Sequence, residues 1–573
     1  MAHRLHLFSL RIAHALREAL AEVPYDRKAL SKDLIAGVTV GIIAIPLAMA
    51  LAIACGVAPQ YGLYSAFIAG FLIPLTGGSR YSVSGPTAAF VVVLYPVVQQ
   101  YGLAGLLIAS ILAGAMQLVM ALMRLGRYIE YIPQSVTLGF TGGIAVMIAT
   151  LQMKDFLGLT VIDMPEHFIG KVMALVGALP DFSLWSLFVG LATLIVMLIW
   201  PRLRTPFPSH LPAVMIGTAI AFTLNQQGQH VATIGSTFSF LLPDGTLGFG
   251  IPSVLPHFQW PWQRTQPGES NLVFSWSLAQ DLFSAAFSIA MLGAIESLLC
   301  AVVLDGMTGK KHSANSELLG QGIGNIVTPF FGGITSTAAI ARSAANVKAG
   351  AQTPVAAMAH AIVVLIALIS LSSILSYLPM ASMAALLVMV AWNMSEAPKA
   401  IHLIKTAPHS DIFVFSVCFS LTVLLDMVIA ITAGIILASL LFMKEIAETT
   451  KVHDISVDRK MVDMAIPVGW KVFKINGPLF FAAADRVFGE LSLLCDRQQG
   501  MILYLDGVSI LDSGGLSALN RFLDKCAKSN TQVYLTDFQY QPLKTLSRAG
   551  FSSDRNICTV YTTLSTALKN LPS

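Results

Sequence analysis

The chain has 573 residues, of which 55% are hydrophobic and only 12% charged, and its mean hydropathy is +0.71. These proportions leave too few charged side chains to cover a soluble globular protein, so they indicate a polytopic membrane protein. The formal net charge of +4 includes no basic tract typical of nucleic-acid binding, and we expect no nucleic-acid partner. The six cysteines form no CxxC pair, and we expect neither a metal site nor a cofactor.

The N-terminal segment, residues 1–32, lacks the continuous apolar stretch of a cleavable signal peptide. Its sequence LHLFSLRIAHALREAL predicts an amphipathic helix on the membrane surface, with a flexible tail as the alternative. We expect this segment to lie in the cytoplasm.

A transmembrane domain is predicted over residues 33–446, which contain fourteen apolar runs, several of them too short to span a bilayer alone. The runs are 33–54, 60–79, 86–99, 102–123, 131–152, 184–200, 210–225, 281–304, 314–331, 337–350, 353–373, 378–397, 410–425 and 427–443. If the N-terminus is inside, most Lys and Arg residues fall on inner connections. The positive-inside rule therefore places both termini in the cytoplasm.

The short run at 86–99 predicts a helix that begins inside the membrane. A helix start leaves about four backbone N–H groups without intrahelical partners, and lipid offers them none. The opening Ser84-Gly85-Pro86-Thr87-Ala88 has proline at the first helical position and hydroxyl residues near the cap, as helix N-termini prefer. We expect the positive end of this helix to face a bound anion.

An internal repeat predicts a second helix of this kind. Three short sequences recur loosely at offsets of 248, 250 and 246: Asp33-Leu-Ile-Ala as Asp281-Leu-Phe-Ser, Thr87-Ala-Ala-Phe as Thr337-Ala-Ala-Ile, and Tyr131-Ile-Pro as Tyr377-Leu-Pro. An odd number of spans in each unit, seven, inverts the second unit relative to the first. A helix beginning at Ser336-Thr337-Ala338 should then converge with the first on one central site. Packing of small residues between helices is the alternative.

Two charged residues are predicted near this site. Glu296 lies within an apolar helix, where an acidic group costs about 2.5–3.5 kcal/mol. It is interpreted as a proton-accepting or cation-binding group, with a paired structural carboxylate as the alternative. Arg342, six residues into the second short helix, either attracts the anion or neutralises Glu296. Two helix ends at about +0.5 each and one Arg give roughly +2, which balances a dianion only if Glu296 is protonated.

After a linker at 447–466, the apolar period changes to that of strands alternating with helices, which predicts a small α/β domain at 467–573. GWKVFKI, GMILYLDG and TQVYLTD predict strands, and 483–496, 514–528 and 541–549 predict helices. In the loop LDSGGL, Asp512 and Ser513 precede a helix. Ser513 is interpreted as a helix cap or as a regulatory residue that accepts phosphate or contacts a nucleotide or partner. The glycines of GQGIG (320–324) are interpreted as helix packing.

Several segments together resemble the SulP/SLC26 anion transporter family, and their details resemble its bacterial C4-dicarboxylic acid transporters (DauA type). They are VAPQYGLYSAF (57–67), SVSGPTAAF (82–90), LGAIESLL (292–299), GGITSTAAIARSAANVKAGA (332–351) and GVSILDSGGLSAL (507–519). The family often carries an acidic residue at the position of Glu296 and a basic one at that of Arg342, which favours their functional interpretations. Many members have a Pro-Gln pair and a later Tyr in the first helix, where this chain has Pro46-Leu47 and Leu51. A preference for sulfate is therefore not implied.

The resemblance implies an all-α membrane domain of seven plus seven inverted helices, divided into core and gate, followed by a small cytoplasmic α/β STAS domain. It also implies elevator-like movement of the core and a homodimer in the cell (inner) membrane, with a cytoplasmic protein as a further partner of the STAS domain. The predicted function is proton-coupled uptake of C4-dicarboxylates such as succinate, fumarate and aspartate. Sulfate or bicarbonate transport with H⁺ or Na⁺, the latter near Glu296, is the alternative, and a membrane anion sensor is a second one. No nucleophile with its base and no Walker sequence is evident, so we expect no enzyme.

Overall fold

The computed structural model describes residues 10–572 except 23–24, 130, 162–163, 166, 204, 206–207, 242–246, 267–271, 273–274, 426, 459–460, 463, 552–553 and 556. The beginning of the predicted N-terminal helix, residues 5–9, lies outside the described residues. The described chain divides into two compact units, Met1–Ile435 and Ile436–Ser573.

The elements up to the end of the last apolar helix are almost entirely helical. The α-helices are α1 His14–Glu22, α2 Arg27–Ala54, α3 Pro59–Thr76, α4 Ala88–Leu122, α5 Gly126–Ile129, α6 Gln134–Leu157, α7 Phe168–Gly177, α8 Leu184–Ile199, α9 His210–Gln226, α10 Ile234–Thr237, α11 Trp276–Asp281, α12 Phe283–Thr308, α13 Ala314–Val327, α14 Ile340–Lys348, α15 Val355–Leu375, α16 Met380–Met394, α17 Ala397–Thr406, α18 His409–Leu424 and α19 Met427–Thr449. Short strands are β1 Ser84–Gly85, β2 Ser239–Leu241, β3 Leu247–Phe249 and β4 Thr337–Ala338, and 3₁₀ turns are Leu179–Asp181, Trp200–Leu203, Pro261–Gln263 and Thr328–Phe331.

Each of the fourteen predicted apolar runs contains a helix, so the helical membrane architecture is confirmed. Helix α4 holds two of them, because Gly102 has φ 63° and ψ −168° and divides it in two. Such a conformation is costly for any residue with a Cβ, so glycine marks the break. Among the described residues, eight helices are long and apolar enough to cross a membrane. The first begins at Arg27, six residues before the start predicted from its apolar run.

The membrane helices contact one another most extensively in two groups. One group, the core, contains α2, α3, α4, α12, α13, α14 and α15, and the other, the gate, contains α6, α8, α9, α16 and α18. Each group draws helices from both halves of the chain, as an inverted repeat requires. The repeat is visible in detail at the starts of α6 and α16. Both follow a proline N-cap with an extended backbone, Pro133 (φ −62°, ψ 146°) and Pro379 (φ −76°, ψ 141°).

Glycines allow the core helices to approach closely. A Cβ on Gly320 would lie 2.5 Å from the Cα of Gly77, and one on Gly322 would lie 2.7 Å from Leu118 Cγ. The interpretation of the GQGIG glycines as packing residues is therefore confirmed. Close backbone approach at small residues is the usual means of helix association where burial from water contributes little.

One face of helix α1 packs against protein. Its buried residues Ala15 and Ala19 are 1% and 2% exposed, and their i, i+4 spacing places them on one face. The amide of Ala15 donates to the carbonyl of Gly77 (3.2 Å), at the end of α3. The predicted helix is confirmed over 14–22, and its placement on the membrane surface stays a prediction. Alanine side chains are short enough to bring the helix onto another backbone.

The C-terminal unit contains one six-stranded sheet. Its elements are β5 Lys451–Asp454, β6 Trp470–Asn476, α20 Phe481–Ser492, the 3₁₀ turn Cys495–Arg497, β7 Gly500–Gly507, α21 Ser513–Lys528, β8 Gln532–Thr536, α22 Tyr540–Arg548, β9 Asp554–Arg555, β10 Cys558–Tyr561 and α23 Leu564–Lys569. The strand order is β5-β6-β7-β8-β10-β9, with parallel pairing from β6 to β10 and an antiparallel strand at each edge.

Both faces of this sheet are covered, as expected for parallel strands. On one face, Phe488 of α20 packs against Phe522 of α21, with ring centroids 5.5 Å apart. On the other face, Trp470 and Tyr534 pack with ring centroids 4.9 Å apart, beside residues of α23. The three predicted strands and three predicted helices are confirmed. The predicted linker at 447–466 is partly wrong, because it contains β5, an exposed edge strand whose charged residues gave no strand pattern.

Glu22 at the end of α1 provides a test of how that helix is held. Its carboxylate receives hydrogen bonds from Lys310 (2.8 Å) and Arg80 (2.9 Å), which hold its pKa below the ordinary 4.5. Because the folded-state pKa is lowered, the stabilisation is present above pH 4.5 and is lost as the pH falls through the folded value. Glu22→Gln should therefore increase amide hydrogen exchange over residues 14–22 at neutral pH.

The matched control is Glu396→Gln, which removes an exposed carboxylate paired with Lys399 at 2.7 Å. It should leave exchange at 14–22 unchanged. Unaltered exchange in the Glu22 variant would show that the two ion pairs do not hold α1.

Candidate anion site

The two short strands of the core pair with each other at the point where two helices begin. Ser84 of β1 lies opposite Ala338 of β4, and Gly85 lies opposite Thr337, in antiparallel register. All four residues are buried. Helix α4 starts three residues after Gly85, and α14 starts three residues after Thr337. The two predicted half-helices therefore meet, with their positive ends at one crossing.

Both half-helices begin later than the sequence predicted. Helix α4 begins at Ala88 rather than Pro86, and α14 begins at Ile340 rather than Ser336. Before α14, Thr337 and Ala338 belong to the strand pair, and the N-caps Thr87 and Ala339 have extended backbones. Arg342 is consequently the third residue of its helix, not the sixth, and lies in the first turn.

Neither half-helix is capped by its own N-cap side chain. The N-cap of α14 is Ala339, which has no polar group, and the N-cap of α4 is Thr87, whose side chain makes no capping bond. The Thr87 hydroxyl instead donates to Glu296 Oε2 at 2.9 Å. Glu296 is half-buried in α12. Thr87 therefore connects one helix start to the predicted coupling carboxylate.

Arg342 is the most deeply buried cation at the crossing. Its side chain is 1% exposed, and Nη2 donates to the carbonyl oxygen of Pro86 at 2.6 Å. Nε and Nη1 have no hydrogen-bond partner among the residues that the structure describes. No carboxylate of the described residues lies within 4.0 Å of the guanidinium. Without a direct pair to Glu296, its remaining N–H groups are available to an anion.

The other predicted site residues make structural hydrogen bonds with their side chains or amides. The Ser336 amide donates to Asn325 Oδ1 (2.8 Å), and the Thr337 hydroxyl donates to the Gly293 carbonyl (2.9 Å). Ser84 Oγ accepts from Gln321 at 3.4 Å. These bonds hold the crossing together, whereas Thr87 bonds to Glu296 and Arg342 bonds to the Pro86 carbonyl.

A further buried polar cluster was missed from the sequence. Glu317, 1% exposed, and Gln321 lie on α13 and bond to Ser297 of α12 at 2.9 and 3.0 Å. The signal was available, because Glu317 is a carboxylate within the apolar run 314–331, the same signal that identified Glu296.

The loop LDSGGL lies at the start of α21 in the C-terminal unit. Asp512 is the N-cap, accepting from the Gly515 amide at 2.7 Å, and its second oxygen accepts from the Phe481 amide at 3.2 Å. Ser513 is exposed and is the first helical residue. The cap role interpreted for Ser513 is therefore wrong, because the aspartate carboxylate performs it.

Two broken helices that start at one central crossing, with a buried cation and a carboxylate beside them, define a membrane transporter built from an inverted repeat. Residues 30–418 match the sulfate permease family, and residues 461–567 match the STAS domain. The chain belongs to the sulfate permease (SulP/SLC26) family of anion transporters, with a C-terminal STAS domain. Members of this family are transporters and not enzymes.

Relatives share most of the chain. YvdB of Bacillus subtilis, named as a candidate sulfate transporter, is 38% identical over 529 residues, covering 92% of this chain and 95% of its own. The bicarbonate transporter BicA of Picosynechococcus is 25% identical over 537 residues, covering 90% of each.

Solved structures share the fold. The structure of the murine Solute Carrier 26 family member A9 anion transporter has a TM-score of 0.81 at 20% identity, covering 96% of this chain and 93% of that one. The transmembrane domain of a cyanobacterial BicA has a TM-score of 0.59 at 27% identity, covering 73% of this chain and 98% of that one.

Gly85 tests the placement of Arg342. A Cβ at Gly85 would lie 2.7 Å from Arg342 Nη1, so Gly85→Ala should displace the guanidinium from the crossing. Loss of a hydrogen bond to a charged group costs about 1.5–3 kcal/mol, so the KM for anion uptake should rise about tenfold or more. Gly177→Ala is the control, since a Cβ there meets nothing within 4 Å. Equal KM values for the two variants would contradict this arrangement.

Proposed function

We propose that this protein takes up C4-dicarboxylates, such as succinate, fumarate and aspartate, with protons across the cell (inner) membrane. The observation that carries the proposal is the fully buried Arg342, at the meeting point of two uncapped helix starts, whose Nε and Nη1 have no partner in the part of the chain that the structure describes. Substrate contacts would come from Arg342, from Thr87 and from backbone N–H groups near Ala88 and Ile340. Together these groups favour an anion.

The coupling role of Glu296 follows from charge. Two helix ends and Arg342 supply roughly +2, enough for a dianion. An ionised Glu296 about 5 Å from a substrate carboxylate would cost near 3 kcal/mol at an effective dielectric of about 20. Binding the dianion should therefore draw a proton onto Glu296, whose hydrogen bond to Thr87 already joins it to the binding groups. Substrate and proton would bind together and cross together.

The core carries every group of this site, so transport would occur by elevator-like movement of the core against the gate. Alternation of access would then expose Arg342 and Glu296 first to one side and then to the other. The protein would work as a homodimer with both termini and the STAS domain in the cytoplasm. Ser513, exposed beside the Asp512 cap, would be available there to a regulatory partner.

Sulfate or bicarbonate transport is the second candidate, with H⁺ or Na⁺ as the coupling ion. Relatives over most of the chain are named for sulfate or bicarbonate transport. A site of backbone N–H groups and one Arg accepts several anions, so charge alone does not separate them.

Uptake by purified protein in liposomes tests the substrate. Labelled succinate, bicarbonate and sulfate would be compared at pH 5 and 7.5, with and without sodium. We expect the fastest uptake for succinate at pH 5, independent of sodium. Uptake of bicarbonate or sulfate driven by sodium would keep the site but overturn both the substrate and the coupling ion.

Glu296→Gln tests the coupling. The amide keeps the size of the side chain but does not titrate, so substrate binding should persist while the pH dependence of uptake disappears. Asp305→Asn is the matched control on the same helix. Asp305 lies nine residues beyond Glu296, and its carboxylate bonds to the ring and the backbone amide of His312, at 3.0 and 3.1 Å. A normal pH profile in the Glu296 variant would refute proton coupling through this residue.

A further inference from the structure

A second carboxylate, Glu317, is buried in the core without a cation. Its side chain is 1% exposed, and no Lys, Arg or His nitrogen of the described residues lies within 4.0 Å. Four hydrogen-bond donors surround it instead. Oε2 accepts from the amides of Gly78 (3.1 Å) and Ser79 (2.9 Å), and Oε1 accepts from Ser297 (2.9 Å) and Gln321 (3.2 Å).

These four bonds reach the two elements that bring Thr87 and Glu296 together. Gly78 and Ser79 form the turn that leads from α3 into β1 and so to Thr87. Ser297 directly follows Glu296 on α12. Gln321 extends the same cluster to Ser84 of β1, at 3.4 Å. One carboxylate is therefore bonded to both sides of the contact between Thr87 and Glu296.

The cluster requires a side chain at position 317 whose two terminal atoms both accept hydrogen bonds. A carboxylate accepts hydrogen bonds at each oxygen, whereas the amide nitrogen of glutamine only donates. In a Gln at this position, that nitrogen would face either the backbone amides of Gly78 and Ser79 or the side chains of Ser297 and Gln321. Facing the amides, it would leave two buried donors without their acceptor; facing Ser297, whose hydroxyl can turn to accept, it would still remove an acceptor from Gln321 Nε2.

We propose that Glu317 is a positioning residue of the anion site, which sets the distance between Thr87 and Glu296 by fixing β1 and α12 to one carboxylate. The inference rests on the proposed function in one respect: it takes the contact between Thr87 and Glu296 as the centre of the anion site. It does not depend on which anion is carried or on whether a proton accompanies it.

A double-mutant cycle tests this role. Glu317→Gln and Thr87→Val would be combined in the full-length protein, and KM and kcat measured at one pH with labelled succinate, sulfate and bicarbonate. Each single variant should raise KM about tenfold, because each weakens the same contact. The KM of the double variant should also rise only about tenfold, since the effects of two residues that act through one contact are not additive. Glu317→Asp, which keeps two acceptor oxygens, should restore part of the loss.

Asp33→Asn is the matched control for a merely structural carboxylate. Asp33 is fully buried and accepts four hydrogen bonds, from the amides of Gln352 (2.6 Å) and Thr353 (3.2 Å), the Thr353 hydroxyl (2.6 Å) and Tyr25 (2.9 Å). It should lower thermal stability without raising KM, and its effects should add to those of Thr87→Val.

Amide hydrogen exchange provides a readout that needs no substrate. Glu317→Gln should increase exchange at both 78–88 and 292–300, whereas Asp33→Asn should leave these two segments protected. Additive KM effects of about a hundredfold, an unchanged KM, or exchange confined to one of the two segments would each overturn the positioning role. These outcomes differ from failure of the proposed function, which would appear as a normal pH profile in Glu296→Gln.

Discussion

The candidate anion site depends on one constraint: a helix that begins inside a membrane must have its backbone polar groups satisfied without water. This chain meets the constraint by pairing the residues before its two inner helices, Ser84–Gly85 with Thr337–Ala338, as a buried two-residue sheet. The pairing satisfies backbone N–H and C=O groups that precede the helices, whereas the N–H groups of the first helical turns stay without intrahelical partners. Two positive helix ends are thereby held together, and their mutual repulsion would oppose this arrangement unless an anion or a carboxylate were close.

The crossing in turn determines what surrounds it. Arg342 reaches the carbonyl of Pro86 in the opposite repeat only because Gly85 has no side chain to obstruct the guanidinium. Two carboxylates of the core, Glu296 and Glu317, differ in their hydrogen-bond partners. Glu296 is half-buried and bonded to Thr87, whereas Glu317 is fully buried and saturated by four donors. The coupling role that we propose for Glu296 and the positioning role that we propose for Glu317 therefore rest on different sets of hydrogen bonds.

Much of the architecture could be predicted from local patterns. Apolar runs identified the helices, and the recurrence of Thr87-Ala-Ala as Thr337-Ala-Ala identified the paired half-helices, because equivalent positions of a repeat adopt equivalent structures. The starts of those helices were misplaced by two and four residues, since a strand of two residues has no pattern of its own. Strand β5 was missed for a related reason: it is a short edge strand in which only Val452 is apolar, and its conformation depends on pairing with β6.

The sequence by itself determined the helical membrane domain, the repeat, the C-terminal α/β domain and the presence of Glu296 and Arg342 in apolar surroundings. These features depend on hydrophobicity and periodicity, which each segment expresses alone. Only the tertiary structure decided that no carboxylate among the described residues lies within 4.0 Å of the Arg342 guanidinium, that Thr87 bonds to Glu296 and that Asp512 rather than Ser513 caps its helix. Such contacts join residues up to 256 positions apart, as between Arg342 and Pro86, so the packing of elements creates them and no local pattern encodes them.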